Sequence, residues 1–187
     1  MVNRAVFLDR DGVLNANVIR DGRPVAPETI DAFRLLPGVP EAAQRLKEAG
    51  FLLVVVTNQP DIGTGRTRRE TLEAMHDIIR GEVGVDDIKT CVHVDADHCD
   101  CRKPKPGMIL AAAAERDIDL SRSYMVGDRW RDIDAGRAAG CLTIFVDYRY
   151  KQESPALPDK IVGSLSEAAD FILETERRVA DPMRAVM

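Results

Sequence analysis

An α/β fold built on a doubly wound, Rossmann-like parallel sheet is predicted by three observations. Short apolar runs recur along the chain, separated by segments with helical patterning. Those runs are apolar on both faces, as expected of strands covered by helices on either side. The first run, Ala5-Val6-Phe7-Leu8, stops abruptly at Asp9-Arg10-Asp11-Gly12, which places acids where open α/β sheets keep their sites.

The elements follow in chain order. A first strand spans Ala5–Leu8. Asn15–Leu36, with Gly22, Pro24 and Pro27, reads as a loop too short to hold a lid, so no large cap domain is expected. A helix at Val39–Ala49 is closed by Gly50, and Phe51–Val56 is the second strand. Thr67-Arg68-Arg69-Glu70 fits a capping box and opens a helix over Thr67–Gly81. A strand at Thr90–Val94 and a helix at Gly107–Arg116 come next. Ser123–Val126 is the fourth strand, followed by a helix at Asp132–Ala139 that Gly140 ends, and Leu142–Val146 is the fifth. After a Pro-bearing loop over Asp147–Lys160, the box Ser164-Leu165-Ser166-Glu167 opens a last helix, Ser164–Val179. One domain over residues 1–179 and a tail over 180–187 are expected.

Composition narrows the class. Of 187 residues, 45% are hydrophobic and 30% charged, the balance of a globular protein. A net charge of -5 disfavours nucleic acid or an anionic membrane as partner. With no leader pattern and no transmembrane-length run, a cytoplasmic protein acting as a monomer on a small molecule is expected.

In an extended segment, residues two apart point the same way, so Asp9 and Asp11 can present two carboxylates to one volume. Like charges that close call for a cation. Other strands also end in polar groups: Thr57-Asn58-Gln59 after the second, and Gly127-Asp128 followed by Asp132 after the fourth. Lys103, in Arg102-Lys103-Pro104-Lys105-Pro106, precedes the Gly107 helix. In a parallel sheet these ends share one edge. Carboxylates, a hydroxyl and a Lys/Arg pair meet the needs of phosphoryl transfer, where charge on the equatorial oxygens must be offset. Mg²⁺ prefers carboxylate oxygens, and Asp9, Asp11 and Asp128 suit it. The resulting partner is a small phosphate ester. Asp132 reads equally as a helix cap or a site residue.

These motifs (Asp9-Arg10-Asp11-Gly12-Val13, Thr57-Asn58-Gln59, Arg102-Lys103-Pro104 and Gly127-Asp128-Arg129) resemble the four motifs of the haloacid dehalogenase superfamily of phosphatases. The resemblance spans about Val2 to Val146. It implies that Asp9 is a nucleophile forming an aspartyl phosphate and that Asp11 is general acid and then base. It further implies that Asp128 completes a Mg²⁺ site with the Asp9 carboxylate and the Asp11 backbone carbonyl. Thr57 and Lys103 would steady the phosphoryl group. Substrate contacts are assigned to Asn58, Gln59 and Arg102, with Asn17 and Arg20 from the first loop.

Cys91, His93, Cys99 and Cys101 offer four ligands of the kind a closed tetrahedral Zn²⁺ site takes. His98 is the alternative to His93. A zinc-binding loop over 91–101 would also fix where Arg102 and Lys103 point. Cys141 reads as a core thiol, His76 as helix surface, and Arg66, Arg68 and Arg69 as a solvated helix start.

A cysteine–histidine loop ahead of Arg-Lys-Pro is similar to two branches of the superfamily. They are the D-glycero-D-manno-heptose 1,7-bisphosphate phosphatases, which remove the 7-phosphate, and the histidinol-phosphate phosphatases. Leu36-Pro37-Gly38-Val39-Pro40-Glu41 and Lys103-Pro104-Lys105-Pro106-Gly107-Met108 look more like the former. The five residues between His93 and Cys99 are similar to the latter. Pro60-Asp61-Ile62-Gly63 departs from the heptose pattern and sets a negative charge beside the pocket. The non-enzyme alternative is a zinc-stabilised binding module, which would have no need of the acids.

Overall fold

A computed structural model describes residues 2–149 and 157–180. Its elements are β1 (Ala5–Leu8), β2 (Val18–Arg20), β3 (Arg23–Val25), α1 (Val39–Glu48), β4 (Leu52–Asn58), α2 (Pro60–Gly63), α3 (Arg69–Glu82) and β5 (Asp87–Cys91). They continue with α4 (Gly107–Arg116), β6 (Tyr124–Gly127), α5 (Trp130–Ala139), β7 (Leu142–Val146), β8 (Lys160–Val162) and α6 (Leu165–Ala180). Six strands form one sheet in the order β5-β4-β1-β6-β7-β8. Every pairing in it is parallel. The order runs outward in both directions from β1, which makes the doubly wound sheet expected.

Alternation along each strand divides the core. Val6 and Leu8 of β1, Leu53 and Val55 of β4, and Tyr124 and Val126 of β6 pack toward α1, α3 and α6. Their neighbours Phe7, Val54, Val56 and Met125 pack toward α4 and α5. Each fully buried large side chain contributes roughly 1.5–3 kcal/mol, so both faces of the short central strands are committed to the core. Only their ends are left for chemistry.

Several boundaries differ from the sequence reading. The third strand lies at Asp87–Cys91 rather than Thr90–Val94, because β5 is an edge strand whose polar residues are half-buried and paired. Lys89 pairs with Glu115 and Asp87 with Arg116. After Cys91 the chain leaves the sheet. The first loop contains a hairpin, β2 against β3, turned by Asp21-Gly22 with both residues at positive φ. α3 begins at Arg69 without the Thr67 box, since Thr67 is buried and its N–H donates to the Asp61 carbonyl. At α6, Ser164 Oγ does accept the Glu167 N–H, but Glu167 accepts from Gly163, one residue earlier than a full box requires. Ala180 is the last residue of α6, and residues 181–187, expected as a tail, lie outside the described residues, as do 150–156 of the last loop.

His76 is a correction. It is buried, because Leu72, Met75, His76 and Ile79 form the inward stripe of α3. Burial and the nearby Arg10 lower its pKa to about 4, so it is neutral near pH 7. Cys141 is a buried free thiol, as expected. No helix among the described residues is long and apolar enough to cross a membrane.

Candidate active site

β1 and β6 are neighbours, and the order of strands reverses around them. Asp9 follows β1 and its N–H donates to the Val126 carbonyl at 2.9 Å; Asp128 follows β6. Two glycines let the acids approach. Gly12 sits at φ 91°, and a Cβ there would fall on the Asp128 carboxylate. A Cβ at Gly127 would fall on Asp132. Any side chain at either position would push an acid away.

Lys103 is the hub. Its buried ammonium donates to Asp9 Oδ1 at 2.8 Å and to the Val56 carbonyl at 2.7 Å, and lies 2.5 Å from Asp132 Oδ1. Burial opposes its charge, but Asp132 and Asp9 outweigh that and hold the ammonium above its ordinary range. Even with Arg129 Nε 3.5 Å from Asp128 Oδ2, the positive charge does not balance the acids. Burial, then Asp132, raise Asp9 to about 7 against the pull of Lys103. Burial, then Asp9 and Asp132, also raise Asp128 well above a normal carboxylate. Carboxylate oxygens of Asp9, Asp128 and Asp132 lie within 4.8 Å of one another. A buried, under-compensated oxygen donor set of this kind fits Mg²⁺. Asp132, open between two readings in the sequence, does both jobs: it meets Lys103, and its Oδ2 accepts the Arg129 N–H.

Asp11 corrects the simple picture of two carboxylates sharing one cation. The extended run ends at Asp9, since the N–H groups of Leu14 and Asn15 both turn back onto the Arg10 carbonyl. The Asp11 side chain is therefore not in the acid group. It accepts from Arg10 Nη2 at 2.9 Å, Asn15 Nδ2 at 2.9 Å and Gln59 Nε2 at 2.6 Å. Arg10, fully buried, went unassigned in the sequence. A charge inside a run entering the core was the available signal, because such a group must be paired.

A cleft of about 380 Å³ opens over these groups, and Asp9, Asp11, Asn17, Asn58, Arg102, Lys103 and Asp132 line it. Pro24, Val25, Asp61, Arg66, Arg129 and Arg131 complete much of its wall. A larger groove of about 640 Å³, bordered by Arg4, Arg45, Arg122 and Arg177, contains none of the acids and carries no comparable chemistry. Asn17 Nδ2 donates to Asp128 at 3.1 Å. Asn58 spends its amide on the Lys103 backbone, donating to its carbonyl and accepting its N–H, each at 3.1 Å. Gln59 and Thr57 are buried and bond each other at 2.9 Å, outside the lining. Arg20 stands apart, paired with Glu28 at 2.7 Å. Arg68 and Arg69 are exposed, as expected of a solvated helix start, whereas Arg66 lines the cleft within 3.7 Å of Asp61.

Beside the cleft, Cys91, His93, Cys99 and Cys101 bring one ligand atom each within 4.8 Å of the others. Their sulfurs are 3.3–3.7 Å apart, and His93 Nδ1 lies 3.2 Å from Cys101. Bonds of about 2.3 Å to a tetrahedral Zn²⁺ would set sulfurs about 3.8 Å apart, so the group fits that ion. His98 is not in the cluster: it sits at φ 49°, and its carbonyl accepts from Lys105.

Residues 17–140 match the haloacid dehalogenase-like hydrolase family model. The D-glycero-beta-D-manno-heptose-1,7-bisphosphate 7-phosphatase of Salmonella typhi is 41% identical over 188 residues, covering 92% of this chain and 97% of the relative. The protein of the same name from Pseudomonas aeruginosa is 39% identical over 153 residues, covering 78% and 82%. A solved D,D-heptose 1,7-bisphosphate phosphatase from B. bronchiseptica, complexed with magnesium and phosphate, superposes with a TM-score of 0.81 at 32% identity, covering 92% of this chain and 99% of that one. The chain belongs to the haloacid dehalogenase-like hydrolases.

Proposed function

We propose that this haloacid dehalogenase-like hydrolase is a Mg²⁺-dependent phosphatase that removes the 7-phosphate of D-glycero-D-manno-heptose 1,7-bisphosphate. The observation that carries the chemistry is Lys103 held between Asp9 and Asp132, with Asp128 completing an acid group that stays under-compensated despite Lys103 and the Arg129 guanidinium. The substrate assignment draws on the likeness to the heptose phosphatases.

Asp9 is the nucleophile. One of its oxygens is held by Lys103, and the other attacks phosphorus as the bond from phosphorus to the sugar oxygen breaks. Asp11 gives its proton to that leaving oxygen, so one Asp11 oxygen must first release the Gln59 or Asn15 donor it faces here. Water then attacks the aspartyl phosphate, Asp11 takes the proton, and phosphate leaves Asp9. Lys103 offsets charge on the transferring group, with Asn58 fixing the backbone that carries it. Thr57 acts through Gln59 in orienting Asp11. When bound by Asp9, Asp128 and the Asp11 carbonyl, Mg²⁺ supplies positive charge that favours an ionised Asp9 beside a phosphate. The cysteine–histidine group is a structural Zn²⁺ site that anchors Arg102. The active unit is a cytoplasmic monomer.

The test is kcat/KM with Mg²⁺ across both heptose bisphosphate anomers, histidinol phosphate and other sugar phosphates. A heptose bisphosphate should lead by about tenfold or more. Histidinol phosphate leading would move the enzyme to the other branch, to which its short His93–Cys99 spacing is similar. No phosphate release from any ester would favour a binding module.

A further inference from the structure

Beside the buried Lys103, the cleft is lined by two partly exposed arginines that share a partner, Arg102 at 16% and Arg131 at 33% by side chain. The last two come from different segments, Arg102 from the stretch after Cys101 and Arg131 from the first turn of α5. One exposed carboxylate joins them. Asp95 Oδ1 accepts from Arg102 Nε at 2.6 Å and from Arg131 Nη1 at 2.9 Å. Its Oδ2 accepts from Arg131 Nη2 at 3.3 Å, completing a two-point grip. Arg102 Nη1 also donates to the His93 carbonyl, and the Arg131 guanidinium lies 5.2 Å from the Trp130 ring centre. Asp95 itself is fixed on a short turn between His93 and Cys99, where Asp97 accepts the Val94 N–H at 2.8 Å.

Two guanidiniums on one carboxylate leave a surplus positive charge on a wall of the cleft. The neighbouring Asp61–Arg66 pair is balanced by comparison. The acid end of the cleft calls for a metal ion and one phosphoryl group; the arginine wall calls for a second anion on the same molecule. A guanidinium has five N–H donors, and Asp95 takes two from Arg131, leaving donors for a phosphate.

We propose that Arg131 is a specificity-determining residue that holds the phosphate of the substrate not being hydrolysed, together with Arg102, and that Asp95 is the residue positioning both. The inference rests on the reading of the substrate as a bisphosphate. It ties the cysteine–histidine loop to substrate choice through Asp95, beyond the chain link from Cys101 to Arg102.

The experiment compares kcat/KM for the heptose 1,7-bisphosphate with that for the heptose 7-phosphate, in wild type, Arg131→Gln, Arg131→Lys and Asp95→Asn. Losing one charge-assisted phosphate contact should cut the bisphosphate-to-monophosphate ratio about tenfold or more in Arg131→Gln. Arg131→Lys, which keeps the charge but not the fork, should fall between. Asp95→Asn should raise KM for the bisphosphate while kcat stays within about threefold, with metal content at the cysteine loop unchanged. A ratio in Arg131→Gln within about twofold of a bisphosphate-preferring wild type overturns the Arg131 assignment alone. A wild type that does not hydrolyse the bisphosphate overturns the functional reading, and this one with it. Asp95→Asn lowering kcat equally on both substrates with KM unmoved would make Asp95 a purely structural tie.

Discussion

The acid group of the cleft and the cysteine–histidine group beside it both gather ligands suited to a cation, yet the chain assembles them in opposite ways. Asp9, Lys103, Asp128 and Asp132 come from three separate stretches and meet because β4, β1 and β6 are neighbours in the sheet. Cys91, His93, Cys99 and Cys101 fall within one short loop leaving an edge strand. The first group is held by the core on both sides of its strands and carries its own internal cation, Lys103. The second has no internal cation among its four ligands, and burial, with a hydrogen bond to Cys101, pushes the Cys91 thiol up to about 12. A site built by the sheet should keep its shape when its ion is removed, whereas a site built by a loop should depend on its ion for order.

Substitutions in the acid group should do most to sharpen that contrast. Asp9→Asn should reduce phosphate release on the order of 10³-fold or more, with far-ultraviolet circular dichroism unchanged. Substantial residual turnover would remove Asp9 as the nucleophile.

Lys103→Met tests whether the acids tolerate the loss of their internal partner. Breaking a buried pair from one side costs about 3–5 kcal/mol, here spread over Asp9 and Asp132, and activity should fall with it. A urea midpoint within experimental error of wild type would show that the acids are better solvated than their burial implies.

Cys99→Ser, or removal of the loop metal with a chelator, should act differently. KM should rise several-fold through Arg102 and Arg131, while kcat stays within about threefold, and the protein should lose on the order of 2 kcal/mol of stability. Unchanged kinetics in verified zinc-free protein would separate the loop from the cleft and break the proposed connection.

The smallest effect is one of pH. Without metal, the Asp9 pKa is raised from 3.8 to about 7, so the folded state binds a proton that the unfolded state has released. That contribution is fully present below about pH 4 and is lost as pH rises through about 7. Mg²⁺ competes with the proton, so the gain in Tm on adding Mg²⁺ should be largest above pH 7 and fade toward pH 4–5. His76, lowered to about 4, works in the opposite sense, losing stability as pH falls from 6.5. A Mg²⁺ effect independent of pH would place the ion away from Asp9.

Much of this is legible in the amino-acid sequence. Apolar runs with polar groups at their ends mark β1, β4, β6 and β7, because a strand buried on both faces leaves no polar position except its terminus. The Cys/His ligands stood out since their spacing is local. β5 was misplaced because an edge strand needs no continuous apolar run: Asp87 and Lys89 satisfy themselves in ion pairs. The hairpin at Asp21-Gly22 was missed because its flanking apolar stretches are so short. His76 reads as helix surface from its mid-helix position, though its place in the stripe with Leu72, Met75 and Ile79 points inward.

What the sequence determined by itself was the periodic pattern that makes a doubly wound sheet and the identity of the groups at its strand ends. Only the tertiary structure decided which of those groups meet. The turn at Arg10 sends Asp11 to Gln59 and Asn15, and Asp132 takes its place beside Asp9, since side-chain direction past a strand's end is set by the turn and not by the strand. It likewise brought Asp95, Arg102 and Arg131 onto one wall, a meeting of loop and helix that depends on how α5 and the cysteine loop approach the same edge of the sheet.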